Sequence, residues 1–302
     1  MPDRLTLVRH GLSEQNAVTN MEKDGLIHPD REDVFLRPDY MQRLMPEGRE
    51  QARIAGEWMR NNGLDPADYD ERYSSMYYRS LETANIIGPG LEWLPDFRIV
   101  ERDWGEYGAV PKELRAELYP HIEQMRKLAS LFIRYTGGQS MLDKCFDFKD
   151  FIGTLSREQS GKSVVAVVHG ETMWAGRFVL ERMMPHEYHQ LDESKTERIG
   201  NCTILDYVSI NPEDPEDHRA SLSDGWRRQI NPLEPEKSPY GGEWQKLPGK
   251  RRLGDLEIQA ILDTAPQLIH GIPNLAPVDQ PSLMTSVFTR VRSLVQATRE
   301  RF

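Results

Sequence analysis

The sequence predicts an α/β fold, a three-layer sandwich with a mostly parallel central sheet flanked by helices, plus a C-terminal extension. Three observations predict it. Ser163 to Val168, SVVAVV, is almost wholly apolar, as expected of a central strand covered on both faces. Leu5 to Val8 is a second apolar, strand-like run. Around these two, strand signals alternate with helical stretches, the pattern of a sheet wrapped by helices.

The elements follow in order. Leu5 to Val8 opens the chain as a strand. Pro46 to Asn61 reads as a helix: a proline and a glutamate open it, Ala52, Ile54, Ala55, Trp58 and Met59 form its stripe, and Gly63 stops it. Glu71 to Ser75 is a short strand. Tyr78 to Ile87 is a helix ended by Gly88-Pro89. Phe97 to Val100 reads as another short strand, and two helical stretches follow around 112–135 and 141–159. After the SVVAVV strand comes a helix over Glu171 to Met184, then a last strand, Cys202 to Val208.

This divides the chain into a patterned domain over 1–210 and an extension over 211–302. Ile210 to Arg252 is rich in Pro, Gly, Asp and Glu, and Asn211 to Pro248 reads as a long loop. Ser282 to Phe302 carries Met284, Val287, Phe288, Val291, Leu294 and Val295 at helical spacing, with Arg290, Arg292, Arg299 and Arg301 elsewhere. That is an amphipathic helix, docked on its own chain or serving a homo-oligomer.

Composition narrows the function. With 302 residues there is enough chain for a sizeable core. A net charge of −10 argues against a broad surface for nucleic acid or anionic membrane, and leaves room for a small basic pocket. No apolar run reaches the length of a membrane span. The polar Met1 to Arg4 leads straight into the first strand, with no room for a signal peptide. Cys145 and Cys202 match no metal or redox spacing and suggest a reduced, cytoplasmic setting.

The chemistry concentrates at strand ends. Leu5–Val8 runs into Arg9-His10-Gly11, and the SVVAVV strand runs into His169-Gly170-Glu171. In open α/β sheets the site lies in the crevice outside the carboxyl ends of the strands, so both histidines are expected in one cleft. A third weak strand gives way to a helix at Ser74-Ser75-Met76-Tyr77-Tyr78-Arg79. Arg79 then sits near a helix N-terminus, which favours an anion. Two arginines, two histidines and a helix start suit a phosphate, because guanidinium forks match its oxygens. Histidine is also among the side chains that form covalent intermediates.

In order along the chain, these segments resemble the histidine phosphatase superfamily, also called the phosphoglycerate mutase-like family. Arg9-His10-Gly11, continued through Ser13 and Asn16, is similar to its opening signature. Leu44 to Gly56, LMPEGREQARIAG, resembles a second segment, with Met45 in place of the usual Thr. Ser74 to Ala84 resembles a third, Val100 to Gly108 (VERDWGEYG) a fourth, and Gly137 to Asp143 a GGES-type turn with Gln139 in place of Glu. Val167 to Thr172 supplies the second histidine. The resemblance covers about residues 4–208 and does not reach the extension.

It implies a role for each matching residue. His10 is the nucleophile that becomes phosphorylated. Arg9, Arg79 and His169 hold the phosphoryl oxygens, and Asn16 adds a hydrogen bond in the pocket. Glu101 is the general acid, with Glu106 the rival in the same segment. Glu101 is preferred because it precedes Gly105 by the family's usual spacing. Trp104 is expected to help bury it and so raise its pKa. The implied activity is phosphomonoester hydrolysis without a cofactor or metal, on a small phosphorylated substrate. The alternatives are a phosphomutase and a non-catalytic module that binds phosphate or a phosphoprotein. Glu171 follows the second His-Gly where family mutases carry Asn, which favours the hydrolase.

Other signals fail. Ser160-Gly161-Lys162-Ser163 lacks the first P-loop glycine, Ser156 standing in its place, and precedes a strand. Gly11-Leu12-Ser13 is not a nucleophile elbow, and His186 and His189 lack a zinc protease spacing. Substrate choice is expected to lie in Ala17 to Arg43, with His28, Arg31 and Arg37, and in Met184 to Arg198.

Overall fold

A computed structural model of the chain describes residues 1–193 and 197–264. Two compact units appear, Met1–Arg251 and Arg252–Phe302. The first holds strands β1 (Arg4–Arg9), β2 (Glu71–Ser75), β3 (Leu94–Asp96), β4 (Ser163–Val168), β5 (Ile204–Val208), β6 (Ile210–Asn211), β7 (Asp214–His218), β8 (Trp226–Ile230) and β9 (Gln245–Lys246). Its helices are α1 (Glu14–Lys23), α2 (Arg31–Leu36), α3 (Pro46–Asn61), α4 (Tyr78–Ile87), α5 (Gly105–Ala109), α6 (Lys112–Leu118), α7 (Pro120–Ala129), α8 (Met141–Glu158), α9 (Gly170–Leu180) and α10 (Pro185–Glu193). The second unit is described as far as residue 264 and contains α11 (Asp255–Asp263).

Seven strands form one sheet in the order β3-β2-β4-β1-β5-β8-β9. β1 pairs parallel with β4, β4 with β2, and β2 with β3. β5 is antiparallel to β1, β8 to β5 and β9 to β8, so most strands share one direction. Arg9 stands level with Val168, so the two His-Gly endings leave the sheet side by side.

Side-chain alternation builds the three layers. Leu5 and Leu7 of β1, with Val164, Ala166 and Val168 of β4, pack with Phe148 and Phe151 of α8 and Met173 of α9. Val8, Val165 and Val167 point the other way, against Ala52 and Met59 of α3 and Ala84 and Ile87 of α4. β4 is buried on both faces, as its unbroken apolar run requires.

Three local expectations are corrected. Phe97 to Val100 is not a strand: β3 ends at Asp96, whose carboxylate accepts the Arg98 N–H at 2.8 Å and starts a 3-10 turn over Phe97–Ile99. The helical stretch near 112–135 splits into α6 and α7 at Pro120, which lacks the N–H needed to continue α6. The expected loop over 211–248 holds β8 and β9, so the sheet continues past 210. The amphipathic segment Ser282 to Phe302, and with it the expected oligomer contact, lies outside the described residues. Among the described residues no helix is long and apolar enough to cross a membrane.

Candidate active site

The site forms where β1, β4 and β2 end. His10 follows β1 and is 1% exposed; its N–H donates to the Val168 carbonyl at 3.0 Å. Its Nδ1 lies 2.7 Å from the Gly11 carbonyl oxygen. A carbonyl only accepts, so Nδ1 carries the hydrogen and Nε2 keeps its lone pair. Burial, then the charges of Arg79 and Arg9, push the imidazole well below its ordinary value of 6.5. His10 is therefore a neutral ring with one nucleophilic nitrogen.

The turn after His10 is pressed against α3. A Cβ on Gly11 would stand 2.3 Å from the Gly48 carbonyl oxygen, and one on Gly48 would stand 2.1 Å from the Leu12 oxygen. Only two glycines let these backbones approach so closely. Gln51 Oε1 then accepts the Leu12 N–H at 2.9 Å, and Thr83 Oγ1 accepts the Gly11 N–H at 3.1 Å. The Leu44–Gly56 and Ser74–Ala84 segments thus hold the turn after His10.

His169 ends β4 as the N-cap of α9. Its ring centroid is 5.0 Å from that of His10, so the two histidines expected in one cleft do meet. Arg79 Nε donates to His169 Nδ1 at 3.3 Å, which leaves Nε2 as the protonated nitrogen, 2.7 Å from Ser75 Oγ. Burial, then Arg79 and His10, hold His169 well below 6.5. Both of its ring nitrogens are engaged within the protein.

The arginines differ. Arg9 Nη1 donates to the Ile199 carbonyl at 2.8 Å, while its Nε is buried with no hydrogen-bond partner among the described residues. That N–H is thus a buried donor with its hydrogen bond unmade. Arg79, expected at a helix start that favours an anion, already faces a carboxylate. Its Nη1 donates to Asp39 Oδ1 at 2.9 Å and to the Asp39 carbonyl at 2.8 Å, and its Nη2 donates to Asp39 Oδ2 at 3.1 Å. Asp39 is far from Arg79 in sequence, so no local pattern revealed the pair.

Glu101 is half-buried, and its Oε1 accepts the N–H groups of Arg102 at 3.0 Å and Glu171 at 3.2 Å. The second bond ties it to the start of α9, just past His169. Burial, then the Glu171 carboxylate, raise its pKa to about 7 against the pull of Arg79, the Arg102 N–H and Arg9. Glu106 is exposed. Trp104 stacks under the Arg102 guanidinium at 4.0 Å. The loop owes its shape to Gly105, at φ +53°, where a Cβ would stand 2.1 Å from the Thr136 oxygen beside the Gly137-Gly138 turn.

Asn16, in the first turn of α1, accepts from Asn201 Nδ2 at 3.2 Å, and the same Asn201 nitrogen is 3.1 Å from the His10 carbonyl. Asn201, Asp39, Ser75 and the role of Glu171 were missed from sequence. Two of the residues expected to bear on substrate choice are already paired: Arg31 with Glu22 at 2.5 Å and Arg37 with Glu14 at 2.8 Å. Among the described residues no group of three or more His, Cys, Asp and Glu is placed to hold a metal ion.

The sequence profile of the histidine phosphatase superfamily (branch 1) matches residues 5–208. The chain belongs to this superfamily. A curated relative described as a 2,3-bisphosphoglycerate-dependent phosphoglycerate mutase, from Rhizobium rhizogenes, is 27% identical over 190 residues, 61% of this chain and 82% of that protein. Among solved structures, the fold is similar to phosphoserine phosphatase from Entamoeba histolytica, with TM-score 0.52 and 24% identity over 69% of this chain and 91% of that one. It is also similar to mycobacterial glucosyl-3-phosphoglycerate phosphatase, with TM-score 0.53 and 19% identity over 68% and 92%. At such identities the structural likeness speaks for the fold alone. The strand-end residues lie within the matched span.

Proposed function

We propose that this histidine phosphatase relative is a phosphomonoester hydrolase that works through a phosphohistidine on His10. The observation that carries the reading is His10 itself: neutral, buried, and fixed by the Gly11 carbonyl so that Nε2 is the bare nitrogen. Nε2 attacks phosphorus and the ester P–O bond breaks. The departing oxygen takes the proton of Glu101, whose raised pKa suits a general acid near neutral pH. Water then attacks the phosphohistidine, the Glu101 carboxylate takes the water's proton, and the P–N bond breaks to release phosphate.

Charge on the phosphoryl oxygens needs cations placed beforehand. Arg9 and Arg79 are assigned that task, with no metal required. His169 is assigned as a further partner, which requires its ring to exchange a present partner for the ligand. Asn16 supplies its NH2, since its oxygen is taken by Asn201. The substrate class is a small phosphate monoester.

The mutase description of the Rhizobium rhizogenes relative supplies the second reading. Glu171, where family mutases carry Asn, favours hydrolysis. A panel of phosphorylated metabolites, including a phosphoglycerate, tests both readings when run in chelator and scored for free phosphate against isomerised product. Phosphate release by the wild type and none by His10→Ala is the expected result. Isomerisation without net phosphate release would favour the mutase. Activity that returns only with a divalent ion would remove the metal-free part of the reading.

A further inference from the structure

Arginine carries five N–H donors. In Arg79, Nε is committed to His169, Nη1 donates to two oxygens of Asp39, and Nη2 donates to a third. A phosphoryl group that takes the fork of this guanidinium in paired bonds therefore meets an anion already there. The two partners are held differently. Arg79 is locked, its side chain 3% exposed and its face against Tyr77 at 5.0 Å. Asp39 is 38% exposed. It sits on a three-residue 3-10 turn, Asp39–Met41, after Pro38. The neighbouring Tyr40 packs edge-on against Tyr78 at 5.7 Å, and both rings are exposed. The arginine is the fixed element and the aspartate the one that can leave.

We propose that Asp39 is a competing anion built into the site: its carboxylate occupies the Arg79 fork, and a phosphoryl ligand binds by displacing it. This rests on the reading of Arg79 as a phosphate ligand. The device acts on every ligand, but its effect is largest on one that has little else to hold it. Free phosphate has no leaving group to add contacts, so Asp39 keeps the product a weak ligand and speeds its departure. An ester with further contacts offsets the exchange. Asp39 thereby sets the discrimination between substrate and product.

The test is calorimetric titration of the full chain with inorganic phosphate, on wild type, Asp39→Asn, Asp39→Ser and Arg79→Ala. Either Asp39 variant should tighten phosphate roughly tenfold, the scale of a charged hydrogen bond given up by a partly exposed pair. If Asp39 merely holds Arg79 in place, its loss leaves phosphate affinity unchanged or weaker, which overturns the proposal. The serine variant decides if the asparagine variant fails to fold. Arg79→Ala separates the two readings. Phosphate bound as tightly by Arg79→Ala as by wild type would overturn the phosphate role of Arg79, and Asp39's with it. Weakening in Arg79→Ala without tightening in the Asp39 variants overturns the competing-anion role alone.

Discussion

The backbone N–H of Glu171 donates to Glu101 Oε1 at 3.2 Å, while the Glu171 carboxylate is held 3.0 Å from the Arg102 guanidinium. Two acids thus share the start of α9, one neutralised by an arginine and the other raised to about 7.

Replacing Glu171 by Gln removes the like charge and frees Arg102, so Glu101 should give up its proton more easily. Protonated Glu101 is present below about pH 7 and is lost as pH rises through that value. The alkaline limb of kcat/KM for an alkyl phosphate should therefore move to lower pH in Glu171→Gln. The same shift touches stability: between 4.5 and about 7 the folded protein holds a proton that the unfolded chain has released, so stability falls as pH rises across that window. Glu101→Gln should flatten that slope in thermal melts. An alkaline limb that stays put in Glu171→Gln would show that Glu171 does not tune the acid.

Leaving-group dependence identifies the acid. Glu101→Gln should slow hydrolysis of an alkyl phosphate by roughly 100- to 10,000-fold. An aryl phosphate with a good leaving group should be slowed far less, because that oxygen departs without a proton. Glu106→Gln should leave both rates near wild type, since that side chain is exposed. The opposite pattern in the two variants would move the acid to Glu106.

The contact between Gly48 and the turn after His10 predicts a packing defect with a catalytic consequence. A methyl group on Gly48 meets the Leu12 oxygen at 2.1 Å, a backbone atom that moves only with its turn. Overpacking of this kind costs about 1–3 kcal/mol. Gly48→Ala should lower the melting temperature and also reduce kcat, because the turn it displaces carries Gly11, whose carbonyl orients His10. A variant that is less stable yet fully active would show that the turn does not control the nucleophile.

What could be read from the sequence, and what could not, follows from how local each signal is. Arg9, His10 and His169 follow apolar strands directly, so pattern and chemistry coincide, and the parallel pairing of β1 and β4 brings them together. Asp39 and Asn201 act across 40 and 185 residues of sequence and leave no local trace. β8 escaped for a different reason. Its sequence WRRQI looks like a loop, yet Arg227 and Gln229 are buried. Glu181 lies 3.4 Å from Arg227 and the Arg198 carbonyl accepts from Gln229 at 3.2 Å, partners that no hydropathy pattern can foresee. The 184–198 segment expected to select substrate thus includes a carbonyl, that of Arg198, spent on holding β8.

The covalent intermediate tests the account most directly. Rapid quench of the enzyme with substrate labelled at phosphorus should trap label that is stable to base, labile to acid and located on His10. His10→Ala should trap none and release no phosphate. Label found on a serine, or phosphate released at the wild-type rate by His10→Ala, would contradict the account.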